Sequence, residues 1–274
     1  LNQSLFFLSS NPGCKVLAGG TDLVVEMRKS RTPYSILDIS PLKELRYIKE
    51  HTGKIRIGAL TTHSQIAESE LIKKNAKPLA LACSTVGSPS IRNLGTLGGN
   101  VVNASPAADS LAPLALLNAQ IILASLNGER KVAIADFIKG AYKTDIKPDE
   151  LLVAIEIDSL PVGTFSHFIK LGRRNALAIA RLSVASALRL QDSKIVEARI
   201  APGAVFRSPQ RVKPAEDYLS GKEPSEELFA EAGKIVSQEM IKVTGIRWST
   251  PYKEPVLAAL VKRALIMAMG WELE

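Results

Sequence analysis

Two glycine-rich segments carry the residues whose types and spacing could bind an anionic ligand. The first reads Val-Leu-Ala-Gly-Gly-Thr-Asp-Leu at residues 16–23, and the second reads Thr-Leu-Gly-Gly-Asn at residues 96–100. Glycines this close together weaken a helix or strand, which predicts backbone with φ > 0 or a close approach to another group. A glycine turn that leads toward a helix N-terminus presents N–H groups and a positive dipole end to an anion. Two such segments could therefore hold the two phosphates of one dinucleotide.

A carboxylate follows the second segment. Ser105 before Pro106 is typical of an N-cap and a first helical residue, which predicts a helix over 107–117 with Asp109 in its first turn. Asp109 either complements the helix dipole or accepts a hydrogen bond from a ligand hydroxyl. The residues alone leave both interpretations open.

Several common sites are excluded by the residues present. No two glycines stand two positions apart, so Gly-x-Gly-x-x-Gly is absent, and no Gly-Lys is followed by Ser or Thr. The three histidines are far apart, two cysteines cannot supply four ligands to an iron–sulfur cluster, and Gly-x-Ser-x-Gly is missing. The sequence therefore predicts no catalytic acid–base pair, no nucleophile and no metal ligand.

Together these residues resemble the FAD signatures of one family. Ala18–Asp22 and Thr96–Asn100, the latter followed by Ala104–Pro106 and Asp109, are similar to the two FAD signatures in the flavin subunits of molybdenum hydroxylases. That group includes xanthine, carbon monoxide and nicotinate dehydrogenases. The resemblance extends over nearly the whole chain. Its further matches are Arg56–Ala59, Ala141-Tyr142, Glu150–Glu156, Phe168–Arg174 and a helix containing Tyr252, Leu260 and Arg263–Leu265.

The resemblance implies FAD as the cofactor and assigns roles to single residues. The first segment would wrap the pyrophosphate through backbone N–H groups and the Thr21 hydroxyl, and the second would face the phosphates. Asp109 would bind a sugar hydroxyl. Lys170 would lie near the flavin, where a cation stabilises the reduced, anionic form. The implied FAD-binding residues are Val16, Leu17, Ala18, Gly19, Gly20, Thr21, Asp22, Leu23, Val86, Thr96, Leu97, Gly98, Gly99, Asn100, Asp109, Leu152 and Lys170.

Two of these assignments have plainer alternatives, and a third residue, Val86, departs from the pattern of a relative. Val86 stands where a relative carries a bulkier aromatic side chain near the cofactor. Leu152 is equally well explained as an ordinary core residue of a strand, and Lys170 as a solvated strand residue.

The resemblance also implies a function. A molybdopterin-containing large subunit would oxidise the substrate, and a small subunit with two [2Fe-2S] centres would pass the electrons to FAD on this chain. FAD would then reduce NAD or another acceptor. Two alternatives remain: a stand-alone FAD-dependent oxidoreductase of the same fold, and an assembly scaffold that has lost FAD. The lack of a catalytic constellation disfavours the first, and the intact glycines and Asp109 disfavour the second.

Composition limits the partners and the compartment. The 274 residues carry a net charge of +8, but the basic residues are spread along the chain and aromatics make up only 5%, which disfavours a nucleic-acid partner. No apolar run reaches the roughly 18–20 residues of a membrane span. Two cysteines imply no disulfide framework, and they indicate a reducing compartment, hence the cytoplasm. They also exclude the extra iron–sulfur cluster of the hydroxybenzoyl-CoA reductase branch.

The elements that must position these residues predict an α+β fold, because strands and helices occur without regular βαβ alternation. Pro161–Gly163 is the predicted boundary. An FAD-binding domain over 1–162, with two subdomains split near residue 53, would precede a C-terminal domain over 163–274 with a three-stranded antiparallel sheet and helices. The predicted strands are 35–40, 45–49, 54–57, 121–125, 130–134, 151–157, 165–171, 182–190 and 195–200. The predicted helices are 23–29, 62–72, 78–86, 107–117, 135–143, 209–219, 226–238 and 252–269.

Overall fold

The computed structural model describes residues 1–29, 35–174 and 177–272 and shows the predicted α+β fold. Its helices are α1 (Asn2–Ser10), α2 (Leu23–Lys29), α3 (His63–Glu68), α4 (Glu70–Asn75), α5 (Lys77–Ser84), α6 (Pro89–Leu94), α7 (Leu97–Asn103), α8 (Leu111–Leu116), α9 (Ile134–Phe137), α10 (Lys213–Leu219), α11 (Glu226–Thr244) and α12 (Thr250–Met269). Its strands are β1 (Lys15–Leu17), β2 (Ile36–Asp38), β3 (Ile48–His51), β4 (Lys54–Gly58), β5 (Gln120–Ser125), β6 (Gly128–Ala133), β7 (Ile138–Gly140), β8 (Lys143–Thr144), β9 (Leu151–Asp158), β10 (Thr164–Leu171), β11 (Leu182–Gln191) and β12 (Lys194–Gly203).

An antiparallel sheet of five strands forms the centre of the first part of the chain. Its strand order is β3-β4-β9-β5-β6, so β9, which comes last of the five in the sequence, lies in the middle. Tight turns at residues 52–53 and 126–127 join β3 to β4 and β5 to β6 as antiparallel hairpins. β9 is almost fully buried because helices α3, α4, α5, α7 and α8 share its core on one side, while α1 contributes to a second core on the other.

The second sheet is the predicted meander, β10-β11-β12. Alternate residues of β11 point to its two faces, as the two-residue period of a strand requires. Ala185 and Ala187 belong to the core shared with the first part of the chain, whereas Leu182 and Val184 pack in a separate core with α10, α11 and α12. The sheet therefore lies between the helices α5 and α8 on one side and the C-terminal helices on the other.

The helix predicted over 62–72 is wrong in one respect, because it is two helices. The Thr62 hydroxyl accepts a hydrogen bond from the Gln65 N–H and the Gln65 side chain accepts one from the Thr62 N–H, which together form a capping box for α3. The Ser69 hydroxyl then accepts from the Ile72 N–H and caps α4. A serine hydroxyl competes for backbone N–H groups in this way, so the chain starts a new helix there.

The helix predicted over 135–143 is also mostly wrong. Only Ile134–Phe137 is helical, and the chain then forms the short hairpin of β7 and β8. Gly140 has φ +149° and Tyr142 has φ +56°, both unsuited to a helix. The glycine at position 140 permits the turn that ends the helix early.

Other boundaries move by a few residues. β3 begins at Ile48 rather than at residue 45, because Lys43–Leu45 forms a 3-10 turn. α5 ends at Ser84, α10 begins only at Lys213, and α11 continues to Thr244.

Candidate cofactor site

The first glycine segment links β1 to α2 through a tight turn. Gly20 has φ +71°, a left-handed conformation that glycine adopts without strain. Its carbonyl accepts a hydrogen bond from the Val24 N–H at 3.1 Å, and the Asp22 carbonyl accepts one from the Glu26 N–H at 3.0 Å. The turn therefore leads directly into the first turn of α2, as the sequence predicts.

Gly19 brings this segment against the residues that precede the second one. A Cβ atom at Gly19 would overlap the carbonyl oxygen of Leu94, and it would lie 2.6 Å from the carbonyl carbon of Leu94 and 3.2 Å from the Cα of Gly95. The hydroxyl of Thr21 lies 3.5 Å from the position that a Cβ on Gly95 would occupy. The first segment, far away in sequence, thus meets the two residues that lead into the second segment backbone to backbone.

The second glycine segment is the first turn of α7, and the expectation of a loop there is wrong. Thr96 is the N-cap, and its hydroxyl accepts from the Gly99 N–H at 3.1 Å. Gly98 is buried: a Cβ there would lie 2.7 Å from the Ala59 carbonyl oxygen, which already accepts the Gly98 N–H. Gly99 is exposed, and a Cβ there would have only the Thr96 hydroxyl oxygen nearby, at 2.9 Å. Gly98 is therefore explained by packing, whereas the space beside Gly99 is open.

Asp109 lies in a turn before α8, so its predicted place inside the helix is wrong. The Ser105 hydroxyl accepts from the Ala107 N–H at 3.4 Å, which closes a local turn instead of starting a helix. α8 begins at Leu111, and Pro113 lies in its first turn. A helix that started at residue 106 would place Pro113 in its interior, where proline removes a hydrogen bond and clashes with the preceding turn.

Asp109 forms a buried ion pair with Lys170 of β10. Asp109 Oδ2 lies 2.5 Å from Lys170 Nζ, and the ammonium also donates to the Thr85 carbonyl at 3.1 Å. The two side chains are 5% and 10% exposed, so the alternative interpretation of Lys170 as a solvated strand residue is wrong. Burial raises the pKa of Asp109 to about 6, and the ion pair with Lys170 opposes this rise.

The other oxygen of Asp109 is an unsatisfied acceptor. Oδ1 is buried and has no hydrogen-bond partner among the described residues. An ionised carboxylate oxygen left in this condition destabilises the fold, and buried polar atoms in native proteins are normally satisfied. A ligand hydroxyl that donates to Oδ1 would satisfy this acceptor.

Asn100 connects the second segment to the turn of Asp109. The Ser110 hydroxyl donates to Asn100 Oδ1 at 2.6 Å. The last residue of the second segment is thereby held beside the neighbour of Asp109. The structure thus brings together the two glycine segments, Asp109 and Lys170.

His63 is hydrogen-bonded to Gly95, the residue before the second segment, a role that the sequence analysis does not predict. Its backbone N–H donates to the Gly95 carbonyl at 3.0 Å, and its Nδ1 lies 3.4 Å from Cys83 Sγ. Burial, with the nearby Arg92 guanidinium, lowers the pKa of His63 to about 4, so the ring is neutral at physiological pH. No spacing in the sequence relates these residues, because they come from three different helices or their flanking turns.

Val86 and Leu152 occupy different surroundings. Val86 borders the ion pair of Asp109 and Lys170, because it follows Thr85, whose carbonyl accepts a hydrogen bond from Lys170. The Val86 carbonyl accepts a hydrogen bond from Arg92 Nη1 at 3.2 Å. Leu152 is 3% exposed and belongs to the main core. Its core role is present in the structure, and its contact with a flavin stays a prediction.

Two further observations concern metals and membranes. Across residues 1–29, 35–174 and 177–272, no three His, Cys, Asp or Glu side chains come together as a candidate metal site. None of the helices in those ranges is both long and apolar enough to cross a bilayer.

Comparison with known proteins decides the family. The profile of the FAD binding domain in molybdopterin dehydrogenase matches residues 1–159. The chain belongs to this family. Residues 167–268 match the CO dehydrogenase flavoprotein C-terminal domain. The chain is thus an FAD-binding subunit of a molybdenum hydroxylase-type oxidoreductase, and the resemblance read from its motifs is confirmed.

Relatives match over almost their full length. The chain is 35% identical to the glyceraldehyde dehydrogenase medium chain of Sulfolobus acidocaldarius, over 96% of this chain and 94% of that protein. It is 33% identical to the nicotinate dehydrogenase FAD-subunit of Eubacterium barkeri, over 92% and 86%. Carbon monoxide dehydrogenase from Hydrogenophaga pseudoflava superimposes with a TM-score of 0.90 at 27% identity, covering 98% of this chain and 94% of the matched chain.

Proposed function

We propose that this FAD subunit holds the cofactor across its two glycine segments and relays electrons through it. Residues 16–23 would bind the pyrophosphate with N–H groups of the turn that leads into α2, and residues 96–100 would face the phosphates. The N–H groups of Leu97, Gly98 and Gly99 already donate to Thr61, Ala59 and Thr96, so the second segment would contribute space for the phosphates rather than donors. The direct contact of Gly19 with Leu94 and Gly95 supports one shared site rather than two. Gly99 is the glycine with open space beside it, which suits close approach of a phosphate.

The observation that carries this proposal is the buried, unsatisfied Oδ1 of Asp109. It fits a donor hydroxyl of the sugar-like chain of FAD, while Oδ2 keeps its bond to Lys170. Lys170 would then lie near the flavin, with Val86 and Leu152 completing the surroundings. When bound, FAD supplies reversible electron transfer, and this chain's residues hold and orient it. The Asp109 carboxylate balances the charge of Lys170 and so moderates its effect on the reduced cofactor.

We further propose which partners deliver electrons to FAD and which acceptors take them. Electrons would arrive from a small [2Fe-2S] subunit that is itself fed by a molybdopterin-containing large subunit, and they would leave to NAD or another acceptor. Membership of a family of complex-forming subunits supports these partners. We place the boundary between the FAD-binding and C-terminal domains at 162–163, in the turn between β9 and β10. We also propose that the protein lies in the cytoplasm, in keeping with the free thiols of Cys14 and Cys83.

Asp109→Asn is expected to weaken FAD binding. Loss of a hydrogen bond to a charged acceptor removes roughly 1.5–3 kcal/mol, which is about 10- to 150-fold in affinity. The same change also leaves the Lys170 ammonium buried without its counter-charge, which is expected to lower the free energy of unfolding. Titration of apo-protein with FAD, together with thermal melts, measures the two effects.

The double variant Asp109→Asn/Lys170→Gln is the matched control, because it removes both buried charges. We expect its stability to recover while its FAD affinity stays low. Unchanged FAD affinity in Asp109→Asn, with reduced stability alone, would show that Asp109 is only a structural partner of Lys170.

The relay is tested on the isolated, FAD-loaded chain. Its flavin should be reduced by dithionite and reoxidised by oxygen or an artificial acceptor. Purines, aldehydes and N-heteroaromatic compounds should reduce it only after the molybdenum and iron–sulfur subunits are added, because no candidate metal site is present among the described residues to activate them. Stopped-flow absorbance of the flavin band measures this. Rapid reduction by one of these compounds in the isolated chain would favour a stand-alone oxidoreductase.

A further inference from the structure

The connection between α11 and α12 exposes a cluster of large apolar side chains. Trp248 is 96% exposed, Ile246 is 84% exposed and Val243 is 53% exposed, with Tyr252 at 45% in the first turns of α12. We call these four residues the apolar loop. Single exposed apolar residues are ordinary, but four large apolar side chains this exposed within residues 243–252, one of them a tryptophan, are typical of a protein–protein contact.

The backbone of the apolar loop is held in one conformation by its own hydrogen bonds. Gly245, with φ +69°, ends α11 and donates its N–H to the Ile241 carbonyl at 2.8 Å. The Arg247 N–H donates to the Thr250 hydroxyl at 2.8 Å, and the Thr250 N–H donates to the Arg247 carbonyl at 2.9 Å. Trp248 is therefore presented on a preformed turn, so binding a partner orders little backbone.

The charge around the apolar loop is mostly positive, with Glu239 and the exposed Glu254 as the flanking acidic residues. Residues 240–253 contain no Asp or Glu, and neither does the sequence at 170–181. Arg181 approaches the loop, since its guanidinium lies 5.5 Å from the Tyr252 ring centre. These two stretches carry seven cations: Lys170, Arg173, Arg174, Arg181, Lys242, Arg247 and Lys253. Asp109 neutralises Lys170 and Glu239 pairs with Lys242, so the remainder give this end a positive field that favours an acidic partner.

The apolar loop lies at the same end of the three-stranded sheet as the candidate cofactor site. Lys170 pairs with Ser183 across β10 and β11, and Ser183 pairs with Gly203 across β11 and β12. The next residue, Ala204, accepts a hydrogen bond from Lys253 Nζ at 2.7 Å. A partner seated on the apolar loop would therefore lie beside the edge of the sheet that carries Lys170.

We propose that the apolar loop is the docking surface for the subunit that delivers electrons to this chain, and that this partner presents an apolar pocket with an acidic rim. The inference rests on the proposed function, since an electron-delivering subunit must lie close to the cofactor. Exposure, a preformed backbone, an excess of positive charge and position at the cofactor end each point to the same surface. Trp248 would be the side chain that enters the partner's pocket.

Hydroxyl-radical footprinting of Trp248 tests the proposal. The isolated FAD-loaded chain is compared with the whole complex purified from its native source, and oxidation is read peptide by peptide with mass spectrometry. Trp271 is the internal control, because it is already packed against Phe229 with ring centres 5.6 Å apart. We expect Trp248 to be oxidised readily in the isolated chain and to be protected in the complex, with Trp271 unchanged.

Three other results would overturn the proposal. They are equal oxidation of Trp248 in both samples, protection in the isolated chain that grows with its concentration, and protection only by anionic phospholipid vesicles. The second result would assign the surface to another copy of this chain and the third to a membrane. The two proposals fail in different ways. Absence of FAD binding would contradict the proposed cofactor site, whereas oxidation of Trp248 in the complex is measured whatever the FAD content.

A variant pair identifies the partner. Trp248→Ala is expected to weaken binding of the iron–sulfur subunit about 30-fold, as for an interface hot spot. Val162→Ala is the matched control, because Val162 is 93% exposed and lies on the turn between β9 and β10. FAD content should be unchanged in both. Loss of binding to the molybdopterin subunit instead, with the iron–sulfur subunit unaffected, would contradict the assignment.

Discussion

Gly19→Ala is expected to abolish retention of FAD and to destabilise the protein. The new methyl carbon would overlap the Leu94 carbonyl and lie 3.2 Å from the Gly95 Cα, and backbone atoms cannot move aside as a flexible side chain can. The two glycine segments must therefore separate. Overpacking of this kind lowers the free energy of unfolding by about 1–3 kcal/mol, which is a fall in Tm of roughly 2–12 °C. Because the phosphate-binding N–H groups would be displaced together, FAD affinity should fall by more than about 100-fold.

Gly13→Ala is the control for a glycine substitution that meets no neighbour. Gly13 has φ +89° and no atom near the position of a new Cβ, so the variant bears only backbone strain of about 1–2 kcal/mol. FAD fluorescence titration and thermal melts of both variants separate strain from loss of the contact. Normal FAD binding by a folded Gly19→Ala protein would mean that the two segments do not need to touch.

Local patterns in the sequence predicted most of the elements. The bounds of α2 were predicted at both ends, because a threonine and an aspartate precede an apolar run that stops at consecutive basic residues. The strands of the meander followed from alternation, and the turn at Asp192 and Ser193, both with positive φ, followed from residue types that favour turns. In each case residues within a few positions of one another contain the decisive information.

The wrong helix and turn predictions arose where one feature of the sequence conflicted with a second feature or with a tertiary contact. Ser105 and Pro106 form a good helix start in isolation, but Pro113 forbids a helix that begins so early. The glycines at 98 and 99 suggested a loop, yet Thr96 caps a helix through them because Gly98 must pass close to Ala59. Propensity is a weak guide when a tertiary contact of this kind is present.

The assembly of the candidate site lay beyond any sequence pattern. The contact of Gly19 with Leu94, the bond of Asp109 to Lys170 and the support of Gly95 by His63 join residues between 32 and 75 positions apart. Composition and periodicity carry no information about such pairs. The resemblance to a family identified Asp109 and Lys170 singly, and the structure adds that they neutralise each other and that one oxygen is left for a donor.

Gly99→Val is expected to abolish FAD binding in a protein that remains folded. The space beside Gly99 is open apart from the Thr96 hydroxyl, so the structure offers no packing reason for glycine at this position. A branched side chain there would occupy the volume proposed for a phosphate and would also crowd the N-cap hydroxyl. We expect FAD affinity to fall by more than about 100-fold. The gain in helix propensity over glycine, below about 1 kcal/mol, should offset part of any loss of capping.

Two neighbouring substitutions show whether the effect belongs to the ligand. Gly98→Ala places a methyl carbon 2.7 Å from the Ala59 carbonyl, so it should destabilise the fold by about 1–3 kcal/mol, in contrast to Gly99→Val. Thr96→Ala removes the cap without adding bulk, at about 0.5–2 kcal/mol of stability, and measures how far loss of the Thr96 hydroxyl alone lowers FAD affinity. FAD content after gel filtration, FAD titration and thermal melts of the three variants provide the comparison. If Gly99→Val binds FAD normally, α7 does not face the phosphates, and the cofactor must be held by the first segment and Asp109 without it.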